Sequence, residues 1–413
     1  MSVDRDITIG LYTDSYIPVV DGVATCVRNY ARWLNAKHCA AYVAAPEVPN
    51  YEDDDPFPVI RFFSIPIKPH PPHRFGIPAL DTAFRPMEIE HKPCLVHTHS
   101  PFSAGGAALR LAKKLDIPLV ASFHSKLYDD FLQATGSEFI AARVVDYVVS
   151  FYNKADYVWT VNRSTAKTLA EYGYKGEVEV VVNGTDYDDS IDRAAACREI
   201  DERYGIRPGQ KVMLFVGQIV LQKNLVRVIN AAWEYANRGH DFRLFLVGEG
   251  YARDELTALV KERGLKDRVT FTGPIYDRDE LKKFYARADL FVFPSIYDNA
   301  ALVIREAAAL CVPSIMVAGS NIAEGLTDGV NAYLCEDTDE SVADAMERAL
   351  GDDEKRACIG KGAKVALARS WESIVEEVYE KYLGIINSYQ KKKRRSIYVT
   401  RAPGGLIHGK GNR

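Results

Sequence analysis

The chain has 413 residues, 47% of them hydrophobic and 26% charged, with a net charge of −4. That length and balance predict two or three ordinary globular domains and give no general pull toward nucleic acid. No apolar run approaches 18 residues, so no segment is expected to span a membrane.

Ile7 to Leu11 reads as a buried first strand. The loop Tyr12 to Gly22 carries Pro18 and Asp21-Gly22, and a helix is expected from about Ala24 to Asn35. Strand, Gly-bearing loop and helix open a doubly wound α/β unit. Gly22 is either a turn glycine or a backbone point approaching phosphate at a helix start. Strands are expected at Tyr42–Ala45, Val59–Phe63, Leu95–His97, Leu119–Phe123, Tyr157–Val161 and Val178–Val182. Helices are expected at Ala104–Leu115, Glu138–Lys154 and Ser164–Tyr172. Such βα repeats predict a mostly parallel sheet with ligands at the carboxyl ends of its strands. The Pro-rich segment Ile65–Pro86 breaks the rhythm. It reads as an irregular surface loop, or as a basic, apolar lip facing an anionic lipid surface or an acceptor.

The polar stretch Tyr187–Arg193 is the expected linker. Residues 1–190 and 191–370 are then two α/β domains. In the second, strands are expected at Val212–Val216, Arg243–Val247, Val269–Thr272, Leu290–Phe293 and Ser314–Val317, with helices between them. A last helix spans 371–390, and the tail 391–413, with its KKKRR run, reads as basic and flexible. Its functional reading is attachment to acidic membrane lipids. The seven scattered cysteines show no CxxC spacing, no signal peptide is evident, and a cytoplasmic protein with reduced thiols is expected.

The stretch Phe293–Pro313 concentrates the chemistry. A strand end leads into a loop with Asp298 and Asn299, then into a helix containing Glu306. The start of that helix is an anion site. Eight residues of helix would separate the two carboxylates by roughly 12 Å, too far for a retaining hydrolase pair about 5 Å apart. Two acids around a phosphate-binding amide cluster suit an extended ligand with hydroxyls at both ends and phosphate in the middle, as in a sugar nucleotide.

From Ile7 to about Tyr389 the chain resembles the retaining, nucleotide-sugar-dependent glycosyltransferases of family 4. The resemblance implies the GT-B fold: two Rossmann-like domains facing a cleft, with a C-terminal helix crossing back to the first. Asp298 and Glu306 match the family's paired acids, although the first is usually Glu. The resemblance implies that Asp298 lies beside the transferred sugar, Glu306 at the ribose, and the amides near Ala300, Ala301, Leu302 and Val303, after Asn299, at the diphosphate. In Gly217–Asn224, Lys223 matches a family lysine suited to the leaving diphosphate, while Gln218 stands where Arg is usual. His124 matches a histidine that touches the donor sugar. Gly22 and Gly217 resemble diphosphate loops, Gly273 the wall beside the base, and Asn183-Gly184 an architectural turn. His97, His99 and Phe102 are expected to line the acceptor cleft; metal binding by the two histidines is the alternative.

These matches imply a hexosyl transfer with retention, from a UDP- or GDP-sugar to a lipid or glycan acceptor at the inner face of the cell membrane. The catalytic set would be His124, Lys223 and Asp298, with no cofactor, no metal and no nucleic-acid partner. Two other readings stand beside it: a nucleotide-sugar epimerase on the same fold, and a catalytically silent nucleotide-sugar-binding protein, which Gln218 keeps open.

Overall fold

The computed structural model describes the backbone of residues 4–67 and 73–400 and the side chains of 6–67 and 73–393. Two parallel sheets form it. The first uses β1 (Asp4–Tyr12), β2 (Cys39–Pro46), β3 (Val59–Phe62), β6 (Leu95–Thr98), β7 (Leu119–Phe123), β8 (Tyr157–Thr160) and β9 (Glu179–Val180), in the order β3-β2-β1-β6-β7-β8-β9. Between β3 and β6 lies an antiparallel hairpin of β4 (Ser64–Pro66) and β5 (Arg74–Gly76). The second sheet uses β10 (Lys211–Val216), β11 (Phe242–Val247), β12 (Val269–Gly273), β13 (Leu290–Val292), β14 (Ser314–Val317) and β15 (Tyr333–Cys335), in the order β12-β11-β10-β13-β14-β15. Central strands such as β7 (LVASF) are buried at every residue because helices cover both faces. In each sheet the strand order reverses once, between β1 and β6 and between β10 and β13. Loops at those points diverge and leave a crevice at the carboxyl ends.

The helix from Trp371 returns to the first domain. Trp371, Ile374, Val375, Val378, Tyr382, Ile385 and Ile386 recur at helical spacing and join Ile9, Leu11, Val27 and Trp159 in one core. The Asn183-Gly184 turn lies against it. A Cβ on Gly184 would sit 2.8 Å from the Trp371 Cα, so the crossing needs a glycine there.

Three expectations are corrected. The last helix runs Trp371–Thr400, so residues 391–400 continue it rather than starting a flexible tail. Lys and Arg favour helix, and Lys393 pairs with Asp116 at 2.5 Å. Residues 401–413 lie outside the described residues. The Ile65–Pro86 segment is not wholly irregular, since β4 and β5 pair within it and a helix begins at Phe84; its residues 68–72 also lie outside the described ones. A helix absent from the reading, Leu127–Thr135, follows β7. Among the described residues no helix is long and apolar enough to cross a membrane.

Candidate active site

Four loops meet at the crevice. In the second domain, Gly217 follows β10 at φ 154 and Gly248 follows β11 at φ 139. A Cβ on Gly248 would lie 1.9 Å from the Gly217 carbonyl oxygen, so only glycine permits this approach. Gly273 ends β12 at φ 79, and its carbonyl accepts from Gly248 N at 3.0 Å. Gln218 is exposed. Past it, the short turn Leu221–Lys223 leads to Asn224, whose Nδ2 donates to the Pro294 carbonyl at 3.1 Å. That bond ties the loop after β10 to the loop after β13. It sets the Lys223 ammonium against Asp298, with which it pairs, and 5.3 Å from the centre of the Phe293 ring. Their side chains are only 15% and 14% exposed. The other Asp298 oxygen accepts from Ser295 Oγ at 2.7 Å.

The helix Leu302–Ala309 follows. Its cap residue is Ala301, so no side chain bonds to its first turn, where Leu302 and Val303 sit just after Ala300. Glu306, buried one turn on, accepts from Arg278 Nη2 at 2.8 Å and from the Tyr285 hydroxyl at 2.9 Å. Burial and the Glu306 charge hold the Tyr285 hydroxyl well above its ordinary range, so it stays a donor.

In the first domain, histidines cluster at the ends of β6 and β7. His99 Nδ1 lies 3.1 Å from His124 Nε2, and their rings stack at 5.3 Å. Burial pushes His124 down to about 4 and lowers His97 and His99 as well, so all three are neutral at pH 7. A cavity of about 490 Å³ opens beside His99 and His124. Phe102, Leu127 and Phe131 give it an apolar wall, and Asp14 and Arg74 lie on its polar side. Asp14 accepts from the hydroxyls of Ser100 and Ser103 and from Ala104 N at the next helix start.

Two site expectations are corrected. His97 does not line the cleft. It is fully buried, bonded to the Tyr382 hydroxyl at 2.6 Å and Ser122 Oγ at 2.8 Å. Gly22 opens the helix Gly22–Trp33, and nothing lies within 4 Å of where its Cβ would be. The anion position of that helix is filled by the chain's own Asp21, which accepts from Val23 N and Ala24 N. The Asn299 side chain bridges the domains rather than facing the donor. Its Nδ2 donates to the His124 carbonyl at 2.8 Å, and its Oδ1 accepts from Asn321 Nδ2 at 2.7 Å. Asn162 Nδ2 of the first domain donates to the Asn299 carbonyl at 2.7 Å.

Residues 20–189 match the model "Glycosyltransferase Family 4", and residues 197–366 match "Glycosyl transferases group 1". The chain belongs to family 4 of the GT-B glycosyltransferases. The alpha-monoglucosyldiacylglycerol synthase of Streptococcus pneumoniae is 26% identical over 315 residues, or 74% of this chain and 70% of that one. A GDP-mannose-dependent alpha-mannosyltransferase of Corynebacterium glutamicum is 23% identical over 401 residues, covering 95% and 92%. Among solved structures, sucrose-phosphate synthase from Thermosynechococcus elongatus shares the fold with a TM-score of 0.76 at 21% identity, over 92% of this chain and 100% of that one. Anabaena HepE, solved with UDP-glucose, reaches 0.73 at 18% identity, over 92% and 100%. The protein is therefore a glycosyltransferase that uses a nucleotide-sugar donor.

In this glycosyltransferase, sequence reasoning missed Asp14, Asn162, Arg278 and Tyr285. Asp14 had a signal, since it follows a buried strand in the sequence TDS before a predicted helix. Arg278 and Tyr285 had none, because their roles arise only when their helix packs against Glu306.

Proposed function

We propose that this glycosyltransferase moves a hexosyl group, with retention of configuration, from a nucleoside-diphosphate sugar to a lipid acceptor at the inner surface of the cell membrane. The observation that carries the reading is the continuity of the first-domain cavity with exposed apolar surface. Phe102 of the cavity wall stacks on half-exposed Tyr147 at 6.2 Å, on the helix Glu138–Tyr152 that also exposes Phe139 and Ile140. An acyl chain lying along that path would bring a head-group hydroxyl toward His124 and the donor loop. The relative named alpha-monoglucosyldiacylglycerol synthase supports the same acceptor class, and a glycan acceptor is the alternative.

In the transfer, the bond from the anomeric carbon to the leaving phosphate oxygen breaks, and the acceptor oxygen bonds on the same face. The acceptor proton passes to the departing phosphate. Negative charge grows on the diphosphate, where Lys223 and the uncapped amides of Leu302 and Val303 would hold it. The diphosphate would then replace Asp298 as the partner of Lys223, and Asp298 would turn to the sugar hydroxyls. His124 would hold the sugar from the opposite side, and Glu306 the ribose. The donor is a co-substrate, and no resident cofactor is proposed.

The test is turnover with UDP-glucose, UDP-galactose, UDP-N-acetylglucosamine and GDP-mannose on vesicles containing diacylglycerol, with the product anomer read by NMR. Lys223→Ala should lower kcat by about 10²–10³ with the fold intact. An inverted product, or wild-type turnover in Lys223→Ala, would refute the mechanism. Turnover only on soluble glycans would refute the lipid acceptor.

A further inference from the structure

We propose that His99 is a positioning residue that fixes the tautomer of His124, so that His124 meets the transferred sugar as an Nδ1–H donor. The role in transfer rests on the assignment of His124 to the sugar end of the donor, whereas the tautomer itself rests on hydrogen bonding within the chain.

His99 Nδ1 and His124 Nε2 are 3.1 Å apart, so one proton lies between two neutral rings. It has two places to reside, and the other nitrogen of His99 discriminates between them. His99 is 4% exposed, and its Nε2 is buried without a hydrogen-bond partner among the described residues. Suppose first that His124 Nε2 carries the shared proton. His99 Nδ1 then accepts it, and neutral His99 must keep its own proton on Nε2. That leaves a buried N–H aimed at nothing. Suppose instead that His99 Nδ1 carries the proton. Its Nε2 then holds only a lone pair. An orphaned buried N–H is rarer and costlier than an unused lone pair. His99 is therefore the donor, and neutral His124 carries its proton on Nδ1. Nδ1 makes no hydrogen bond to a described residue, and His124 lines the cavity.

The surroundings keep the arrangement neutral and rigid. Tyr30 meets the His99 ring edge-on at 5.4 Å, and His97 lies 4.1 Å from it. His97 is itself held by Tyr382 and Ser122, so the third ring cannot rotate to serve His99 Nε2 without breaking two bonds. A fixed Nδ1–H selects for an oxygen acceptor on the sugar. It also arrives already oriented, which removes a reorganisation step from the transfer.

Selective labelling of imidazole nitrogens with ¹⁵N, read by long-range proton correlation on the whole wild-type protein, tests the tautomer directly. The His124 signals are identified by their loss in His124→Gln. The expected result is a protonated Nδ1 and a bare Nε2 on His124 at pH 7. A protonated Nε2 would overturn the proposal. Kinetics then test the role. His99→Leu should lower kcat by about tenfold or more with little change in donor KM. His99→Asn places an amide N–H where Nδ1–H was and should recover most of that loss. Equal loss in Leu and Asn, or no loss in Leu, would overturn the positioning role. Wild-type turnover in His124→Ala would instead overturn the sugar-end assignment, a failure separate from the tautomer that the spectrum reports.

Discussion

Glu306 enters the catalytic cycle with both oxygens already engaged, one by Arg278 and one by Tyr285. In the proposed reading, a ribose hydroxyl arriving there would compete with an arginine that is 47% exposed and also stacks over the Tyr187 ring at 4.3 Å. Removing that partner strands a buried carboxylate. Arg278→Met should therefore destabilise the free protein by about 1–3 kcal/mol, the range for leaving a buried acceptor unsatisfied rather than the larger one for a fully buried ion pair. The deficit should shrink when the best-binding nucleotide sugar is present at saturation, because its hydroxyls take over. Thermal melts with and without donor measure both effects, and an unchanged deficit would separate Glu306 from the ribose. Residues at this scale were legible where chain-local rules sufficed. Asp298 was legible from the loop after its strand and Lys223 from the family resemblance, and the two do lie together. His97 looked equally placed at its strand end, yet that strand is buried on both sides, so position along it could not tell core from cleft. Beside Gly22, the Asp21 carboxylate caps the first amides of the helix that glycine seemed to leave open for phosphate.

At the scale of elements, apolar runs located most of the strands of both sheets, those of the second mostly closed by Gly or Pro. The helix Leu127–Thr135 escaped because its face is mixed, although Asp129 and Asp130 in its first turn and Gly136 in the left-handed conformation were helix signals. The end of the final helix was misplaced because a run of like charges was read as disorder, while helix propensity of Lys and Arg, with an anchor at Asp116, carries the helix on. The return of that helix has an energetic signature. Tyr382 is fully buried and bonds His97 from across the domain. Tyr382→Phe should cost about 1–3 kcal/mol, because it leaves a buried imidazole nitrogen unpaired. Urea unfolding measures this. A cost near zero would mean that the helix contributes only apolar packing there.

For the whole molecule, the histidine cluster links stability to pH. His97, His99 and His124 are all held by burial below their ordinary value of 6.5, His124 at about 4. On unfolding they return to 6.5. Between those limits the unfolded chain binds more protons than the folded one, so stability rises with pH and is lost as pH falls from 6.5 toward 4. Each histidine contributes up to about 1.4 kcal/mol per pH unit in that window. The melting temperature should fall across it, and less steeply in His99→Asn. Equal slopes would show that other groups govern the acid limit. The two-domain architecture was legible from the repeated βα pattern, but the way the domains grip each other was not, since Asn162, Asn299 and Asn321 are ordinary loop residues until the fold joins them. That grip has a consequence for how such a protein diversifies. Asn299 is one residue past Asp298 in the second domain, and it also holds the backbone of His124 in the first. A change of side chain there would be transmitted to both domains at once. A substitution at this asparagine would therefore shift both walls of the cleft together, and retuning either wall alone must begin elsewhere.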